Sequence, residues 1–127
     1  MEEQEILKIG ISELEPEKLK PVKVQVQGIR IDKVQFGSKE NQKVVLICKH
    51  PDREEPIQVS KVRILKKDKL TYAGLWVDLA KDEKFSKNSA TAELLRFANA
   101  NSLNELIGKE FETVEDEEGF LCIKAYN

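Results

Sequence analysis

The chain has 127 residues, 40% hydrophobic and 35% charged, which is typical of one folded domain with a modest core. Its 21 basic and 23 acidic residues give a net charge of -2, which excludes a globally basic nucleic-acid binder but not a local basic face. One histidine and two cysteines supply at most three ligands for a His/Cys metal site. These limits favour a binding or interaction domain over an enzyme.

Residues 1–21 read as an acidic lead-in segment. Residues 1–20 carry 6 acidic and 3 basic side chains and lack the basic start and apolar run of a signal peptide. We expect a loose segment with one helical turn, closed by Pro21. The longest apolar run, Val44–Cys48, is far shorter than the roughly 20 residues that span a bilayer. The expected protein is therefore cytoplasmic, without membrane contact.

A long, bent first strand is predicted over residues 22–36. Apolar and polar residues alternate from Val22 to Val26, as in a half-buried strand. After Gly28 the apolar positions shift by one residue, and a strand that stays in its sheet through such a shift needs a bulge. The pattern therefore predicts a bulge at Gly28 and an end of the strand at Gly37.

Three more strands are predicted before the pattern changes. The second covers residues 43–49, where β-branched and aliphatic residues dominate, after a polar turn over residues 38–42. A loop bracketed by prolines leads to a third strand over residues 57–64, with a phase slip near Ser60. A charged turn then leads to an extra strand over residues 71–79.

Helical spacing follows the extra strand. The pattern predicts an amphipathic helix of about ten residues that begins near Ala90, with N-cap side chains supplied by residues 86–89. Ser102 and Glu105 match a capping box, which predicts a one-turn helix over residues 103–107. Glycine at the next position is typical of a helix end.

The last two strands, residues 109–114 and 120–126, are predicted to form a hairpin around an acidic turn, residues 115–119. Three strands, an extra strand, a helix and two strands follow the order of an OB-fold. The expected fold is mainly β, a small OB-like barrel of five to six strands with one helix before the final hairpin. The barrel domain is predicted to cover residues 22–127.

Five short segments carry a resemblance to a known group of proteins. They are Leu75–Leu79, Lys87–Ser89, Ala92–Leu95, Leu103–Lys109 and Glu118–Leu121. In this order they are similar to the barrel strand, short helix, re-entry segment and final hairpin of OB-fold single-stranded-DNA-binding-like proteins of phage and archaeal replication systems. The resemblance covers residues 22–126 in order and 75–124 in detail. It implies nucleic-acid binding of the replication or repair type.

The middle of the chain is locally basic. Residues 42–70 carry 8 basic and 4 acidic side chains, a net charge of +4, whereas residues 109–127 have a net charge of -4. In an OB-fold the second and third strands form the usual ligand face, where cations displace counterions from phosphates. The alternative is a solvated surface. The predicted phosphate-binding residues are Lys43, Lys49, Arg53, Lys61, Arg63, Lys66, Lys67 and Lys69.

Single-strand binders also need aromatic platforms for base stacking, and the candidates are Trp76, Tyr72 and Phe36. Apolar residues from Leu75 to Leu79 are predicted to share one face of the extra strand, which places Trp76 on the opposite face. The alternatives are packing of Trp76 against a helix or loop, and core or rim positions for Tyr72 and Phe36.

No pattern indicates catalysis, a metal site or a cofactor. A phosphate loop of the Gly-x-x-x-x-Gly-Lys type is absent from the sequence. His50 precedes Pro51 in a loop and is expected at the surface. Residues 115–118 lack the ligand spacing of a calcium loop and are expected to form a solvated turn. Cys48 and Cys122 lie in apolar segments and are expected to be reduced core residues.

Two functions are consistent with these patterns. The first is a non-enzymatic OB-fold module that binds single-stranded DNA or RNA without strong sequence preference. The second is a protein-interaction or self-assembly domain of a phage-like or replication complex, with a protein partner contacted through the acidic segments, or a homo-oligomer. An enzyme is disfavoured because no catalytic constellation supports it.

Overall fold

A computed structural model describes residues 2–13 and 19–127. The chain folds into two curled four-stranded sheets with few helices. Within the described part of the lead-in segment, residues Glu3–Leu7 form a short helix, whereas residues 14–18 lie outside the described residues. In the described ranges, no helix is long and apolar enough to cross a membrane. The elements are α1 Glu3–Leu7, β1 Val24–Phe36, β2 Lys39–Lys49, β3 Ile57–Val59, β4 Lys61–Lys66, β5 Lys69–Gly74, α2 Ala90–Phe97, a 3₁₀ turn Leu103–Leu106, β6 Glu110–Phe111, β7 Thr113–Glu115 and β8 Leu121–Ala125.

The long hairpin of β1 and β2 forms the first wall of the fold. Its register shifts between Val26 and Gly28, which confirms the predicted bulge. The predicted polar turn over residues 38–42 is wrong, because Gly37, with φ +60°, makes a tight turn and pairing resumes at Lys39. Polar residues 39–42 therefore extend the ladder on a solvent-exposed part of the hairpin rather than forming a loop.

Two strands run from one sheet into the other. β3 pairs with β2 in the first sheet, and after Ser60 the chain continues as β4 beside β8 in the second sheet. β6 pairs with β1 in the first sheet, and after Glu112 the chain continues as β7 beside β8. The predicted phase slip near Ser60 is thus confirmed, and it marks the position where this strand changes sheets.

The hairpin of β4 and β5 turns at Lys67 and Asp68, whose φ values of 51° and 63° are those of a type I′ turn. β5 ends at Gly74, so the predicted strand over residues 71–79 is too long. Beyond Gly74 the chain leaves β4 and makes a single bridge to β2. The predicted shared face is wrong for Leu79, which is 49% exposed, whereas Leu75 is fully buried.

The predicted helix is confirmed as α2, and the Ser89 side chain accepts a hydrogen bond from the backbone nitrogen of Ala92 at 3.1 Å. The buried face of α2, which includes Leu94, packs against β4 and β8. The predicted capping box does not form, because neither of its two hydrogen bonds is present. Glu105 accepts a hydrogen bond from the backbone of Asn101 at 3.0 Å, while the Ser102 side chain makes no capping bond.

The two cysteines are free and buried, as predicted for core residues. Burial raises the pKa of Cys48 to about 12. Burial is also the largest of the effects that raise the pKa of Cys122 to about 11. Both side chains are therefore protonated thiols at neutral pH.

His50 is fully buried, so its predicted surface position is wrong. Its Nδ1 accepts a hydrogen bond from the backbone nitrogen of Asp52 at 3.0 Å. Its Nε2 lies 3.0 Å from the carbonyl oxygen of Lys20 and must donate, because a carbonyl only accepts. The imidazole therefore ties the lead-in segment to the loop after β2, with both ring nitrogens engaged.

Candidate nucleic-acid interface

Trp76 forms a cluster with Phe36 and Lys43 on the outer face of the first sheet. The bridge between Trp76 and Lys43 places both side chains on one side of the sheet, and the Lys43 Nζ lies 5.0 Å from the indole centroid. The Phe36 ring meets the indole edge-on, with centroids 5.7 Å apart and an interplanar angle of 61°. Phe36 is 57% exposed. Two aromatic rings and a cation are thus presented together at the surface.

Gly74 provides the space that the indole occupies. A Cβ atom at this position would lie 2.8 Å from Trp76 Nε1 and 3.4 Å from Lys43 Cε. Gly74 is also the register partner of Lys61, so a Cβ there would point to the same face as the Lys61 side chain. The indole therefore lies over the end of β5, adjacent to the outer face of the second sheet.

Lys61, Arg63 and Tyr72 continue this surface along β4 and β5. Arg63 and Tyr72 are register partners, and the guanidinium carbon lies 4.9 Å from the phenol ring centroid. The Arg63 Nε is buried and has no hydrogen-bond partner among the described residues. We define the aromatic-basic face as Phe36, Lys43, Lys61, Arg63, Tyr72 and Trp76.

The acidic turn between β7 and β8 borders this face. Asp116 Oδ2 lies 3.3 Å from Lys61 Nζ, and the Tyr72 hydroxyl donates a hydrogen bond to the carbonyl oxygen of Glu115 at 2.8 Å. Together with Glu117 and Glu118, these side chains line a groove of about 480 Å³. Glu115, Glu117 and Glu118 are exposed, as predicted for a solvated turn, whereas Asp116 is half-buried and paired with Lys61.

The turn itself stabilises the Asp116 carboxylate. Burial favours a raised pKa, but hydrogen bonds from the backbone nitrogens of Phe120 and Glu118 and from Lys61 outweigh it and lower the pKa of Asp116. The hydrogen bond with Asp116 conversely raises the pKa of Lys61, against a smaller effect of burial. Both groups are therefore charged across the neutral range.

Five of the predicted cations lie away from the aromatic-basic face. Lys49 is six residues beyond Lys43 along β2, about 20 Å away in an extended strand, and donates to the carbonyl oxygens of Arg53 and Glu54 at 3.2 and 3.4 Å. Arg53 pairs with Glu55 at 3.9 Å. The remaining three are in or beside the β4–β5 turn, and they are Lys66, Lys67 and Lys69.

Lys66 is directed away from the face for a simple reason of strand periodicity. Side chains alternate along β4, so Lys66 is on the opposite side from Arg63. Its Nζ donates instead to the carbonyl oxygen of Asn88 at 3.1 Å, just before α2. The structure thus brings together the three aromatic candidates and three of the eight predicted cations.

Sequence reasoning missed a polar cluster on β1. Arg30 and Asp32 are joined by a 2.6 Å ion pair, and Arg30 also donates to Gln58 at 2.9 Å. Asp32 is the register partner of Lys43, so this pair is on the same side of the sheet. Residues two positions apart in a strand share a face, so the spacing of Arg30 and Asp32 after the Gly28 bulge could have placed both on this side of the sheet.

Within the described residues, no three His, Cys, Asp or Glu side chains converge as metal ligands. No protein-family model, curated protein or solved structure matches the chain. The aromatic-basic face and its border are therefore the features on which a function can be based.

Proposed function

We propose that the chain is a non-enzymatic OB-fold module that binds single-stranded DNA or RNA across the aromatic-basic face. The strand path supports the OB assignment. β1 pairs with β2, and β2 pairs with β3, whose chain continues as β4. β4 pairs with β8, and β8 pairs with β7. The chain of β7 is continuous with that of β6, and β6 pairs with β1. β5 is an additional strand outside this ring. The aromatic-basic face includes residues of the second and third ring strands, which form the usual ligand surface of such barrels.

The observation that carries this proposal is the cluster of exposed Phe36 with half-buried Lys43 and Trp76. A nucleobase that stacks on an aromatic side chain gains about 1–3 kcal/mol, and stacking tolerates any base. A lysine ammonium next to the same ring can contact the phosphate of the stacked nucleotide, since its Nζ is 5.0 Å from the indole centroid. The cluster thus combines the two interactions that single-strand binding requires.

A fluorescence titration tests the proposal, because Trp76 is the only tryptophan of the chain. We expect an oligothymidylate of about 12 nucleotides to quench Trp76 emission at low salt, with an affinity that falls as salt increases. A labelled oligonucleotide followed by anisotropy should show that Trp76→Ala weakens binding about tenfold or more. Absence of binding at low salt would refute the proposal, and unchanged affinity in Trp76→Ala would refute stacking.

A pair of lysine variants separates a specific face from general attraction. Lys43→Ala and Lys67→Ala each remove one positive charge, but Lys67 lies at the tip of the β4–β5 hairpin. We expect Lys43→Ala to weaken binding about fivefold and to reduce the salt slope by about 0.7. Lys67→Ala should change both quantities much less. Equal effects of the two variants would contradict a face centred on Trp76.

A second candidate function, a protein-interaction or self-assembly domain, is favoured by the N-terminal segment. Ile6, Leu7, Ile9 and Ile11 are 53%, 77%, 60% and 100% exposed, an unusual density of open apolar side chains. Light scattering with a Leu7→Ser/Ile11→Ser variant tests this candidate. A loss of oligomers in the variant would support it, and a monomer in both proteins would contradict self-assembly.

A further inference from the structure

The turn between β7 and β8 places three carboxylates next to two cations of the aromatic-basic face. Asp116, Glu117 and Glu118 line one groove together with Lys61 and Arg63. This end of the face therefore has a negative local charge. The Phe36, Lys43 and Trp76 end does not line the groove beside the turn.

The position of the nearest carboxylate is set by the turn and not by the lysine. Asp116 Oδ1 accepts hydrogen bonds from the backbone nitrogens of Glu118 and Phe120, each at 2.9 Å. The other oxygen, Oδ2, faces Lys61 at 3.3 Å. A phosphate that approaches Lys61 thus meets an anchored carboxylate, because the Asp116 side chain cannot turn away without breaking the turn.

We propose that the acidic turn sets the boundary of the ligand site and that Asp116 is its specificity-determining residue. This inference rests on the proposed function. A single strand binds at the Phe36, Lys43 and Trp76 end, and the turn repels phosphates from Lys61 and Arg63. The site thus accepts a short stretch of backbone. Cations are present beyond the boundary, since Lys61 and Arg63 line the groove, so the obstacle there is the charge of the turn.

The test removes the charge of the turn and keeps its shape. Asp116→Asn/Glu117→Gln/Glu118→Gln retains the side-chain oxygen that accepts the two backbone hydrogen bonds. Oligothymidylates of about 4 and about 12 nucleotides are titrated, with Trp76 emission as the signal. We expect affinity for the longer probe to rise about fivefold and its salt slope to steepen by about 0.7 for each added phosphate contact. Affinity for the shorter probe should change less than twofold.

A charge-matched control uses the loop after β2. Asp52→Asn/Glu54→Gln/Glu55→Gln also removes three negative charges, about 20 Å away from Lys43 along the strand. We expect this control to change the affinity for both probes equally and weakly. If it matches the turn variant on the longer probe, general charge explains the gain and the boundary is refuted.

Lys61→Ala distinguishes the remaining outcomes. It should lower the affinity for the longer probe more in the turn variant, where it should reverse most of the gain, than in the wild type, where Asp116 already pairs with Lys61. A similar loss in both backgrounds would overturn the boundary. If the triple variant unfolds, Glu117→Gln/Glu118→Gln leaves Asp116 intact and should give a smaller gain of the same sign. Absence of binding by every protein refutes the proposed function, whereas binding by wild type without a gain in either turn variant refutes only the boundary.

Discussion

Gly74→Ala should displace the indole of Trp76. The added methyl group would lie 2.8 Å from Trp76 Nε1, closer than non-bonded contacts allow, so the ring must move. Overpacking of this kind costs about 1–3 kcal/mol, and the half-exposed ring can shift outward, which favours the lower end of that range. Replacement of a glycine at a compatible backbone position returns about 0.5 kcal/mol through the unfolded state. We therefore expect the free energy of unfolding to fall by about 0.5 to 1 kcal/mol.

The same displacement should change the fluorescence and the proposed binding of the protein. An indole that moves outward leaves its contacts with Lys43 and Phe36 and enters water, which shifts its emission to longer wavelength. Urea unfolding gives the stability change, and an oligonucleotide titration should show weaker binding than in the wild type. Because Trp76 is the only tryptophan, the emission reports this ring alone.

Gly28→Ala is the matched control, since a Cβ atom at Gly28 would have no atom within 4 Å. This variant should keep the wild-type emission and be at least as stable as the wild type. The reasoning is refuted if Gly74→Ala retains both the emission maximum and the stability of Gly28→Ala. Such a result would mean that the space beside Gly74 adjusts without moving the indole.

Three further experiments test the buried histidine, the carboxylate of the acidic turn and the two buried cysteines. His50→Ala should lower the free energy of unfolding by about 2–3 kcal/mol in a urea titration, because the fully buried imidazole and its hydrogen bonds with Lys20 and Asp52 are lost. The pKa of Asp116 is lowered in the folded state, so its contribution to stability is complete above the ordinary aspartate pKa and declines as pH falls through the folded value. Asp116→Asn should therefore lose less stability than wild type between pH 7 and pH 3. With pKa values raised to about 12 and about 11, Cys48 and Cys122 should react with a thiol reagent at pH 8 only after denaturant is added.

Each of these expectations has a contrary result. An unchanged unfolding midpoint in His50→Ala would mean that the lead-in segment is not tied down by the imidazole. Parallel pH profiles of stability for wild type and Asp116→Asn would contradict a lowered pKa of Asp116 in the folded state. Rapid modification of either cysteine in the native protein would contradict its burial.

Local patterns predicted the elements whose causes are local. The change of phase at Gly28 and near Ser60 follows from which side chains must face the core, and both features are found there. The N-cap at Ser89 depends on a side chain and a backbone nitrogen three residues apart. Such features are encoded within a few residues, so period and capping rules are sufficient.

The failures have tertiary causes. His50 is buried by its contact with Lys20, which is 30 residues away, and composition alone made its loop look exposed. The polar residues 39–42 became a strand because β1 supplies a partner ladder. Lys61 looked like a free cation, but its carboxylate partner is 55 residues away in sequence. Pairings over such separations do not appear in periodicity, which reports only which side of a strand is buried.

The aromatic-basic face arises where regular strand pairing is interrupted. Leu75 donates its backbone N–H to the carbonyl oxygen of Ser60 at 2.9 Å, so the end of β5 meets the junction of β3 and β4, where the chain changes sheets. In a regularly paired strand, the side chain of each outward-facing residue covers the outer surface of the sheet at its own position. At this seam a glycine leaves a gap, and the next aromatic residue along the chain fills it. Placement of Trp76 therefore depends on the change of sheet between β3 and β4. The phase slip at this point was visible in the sequence, whereas the surface that it creates was not.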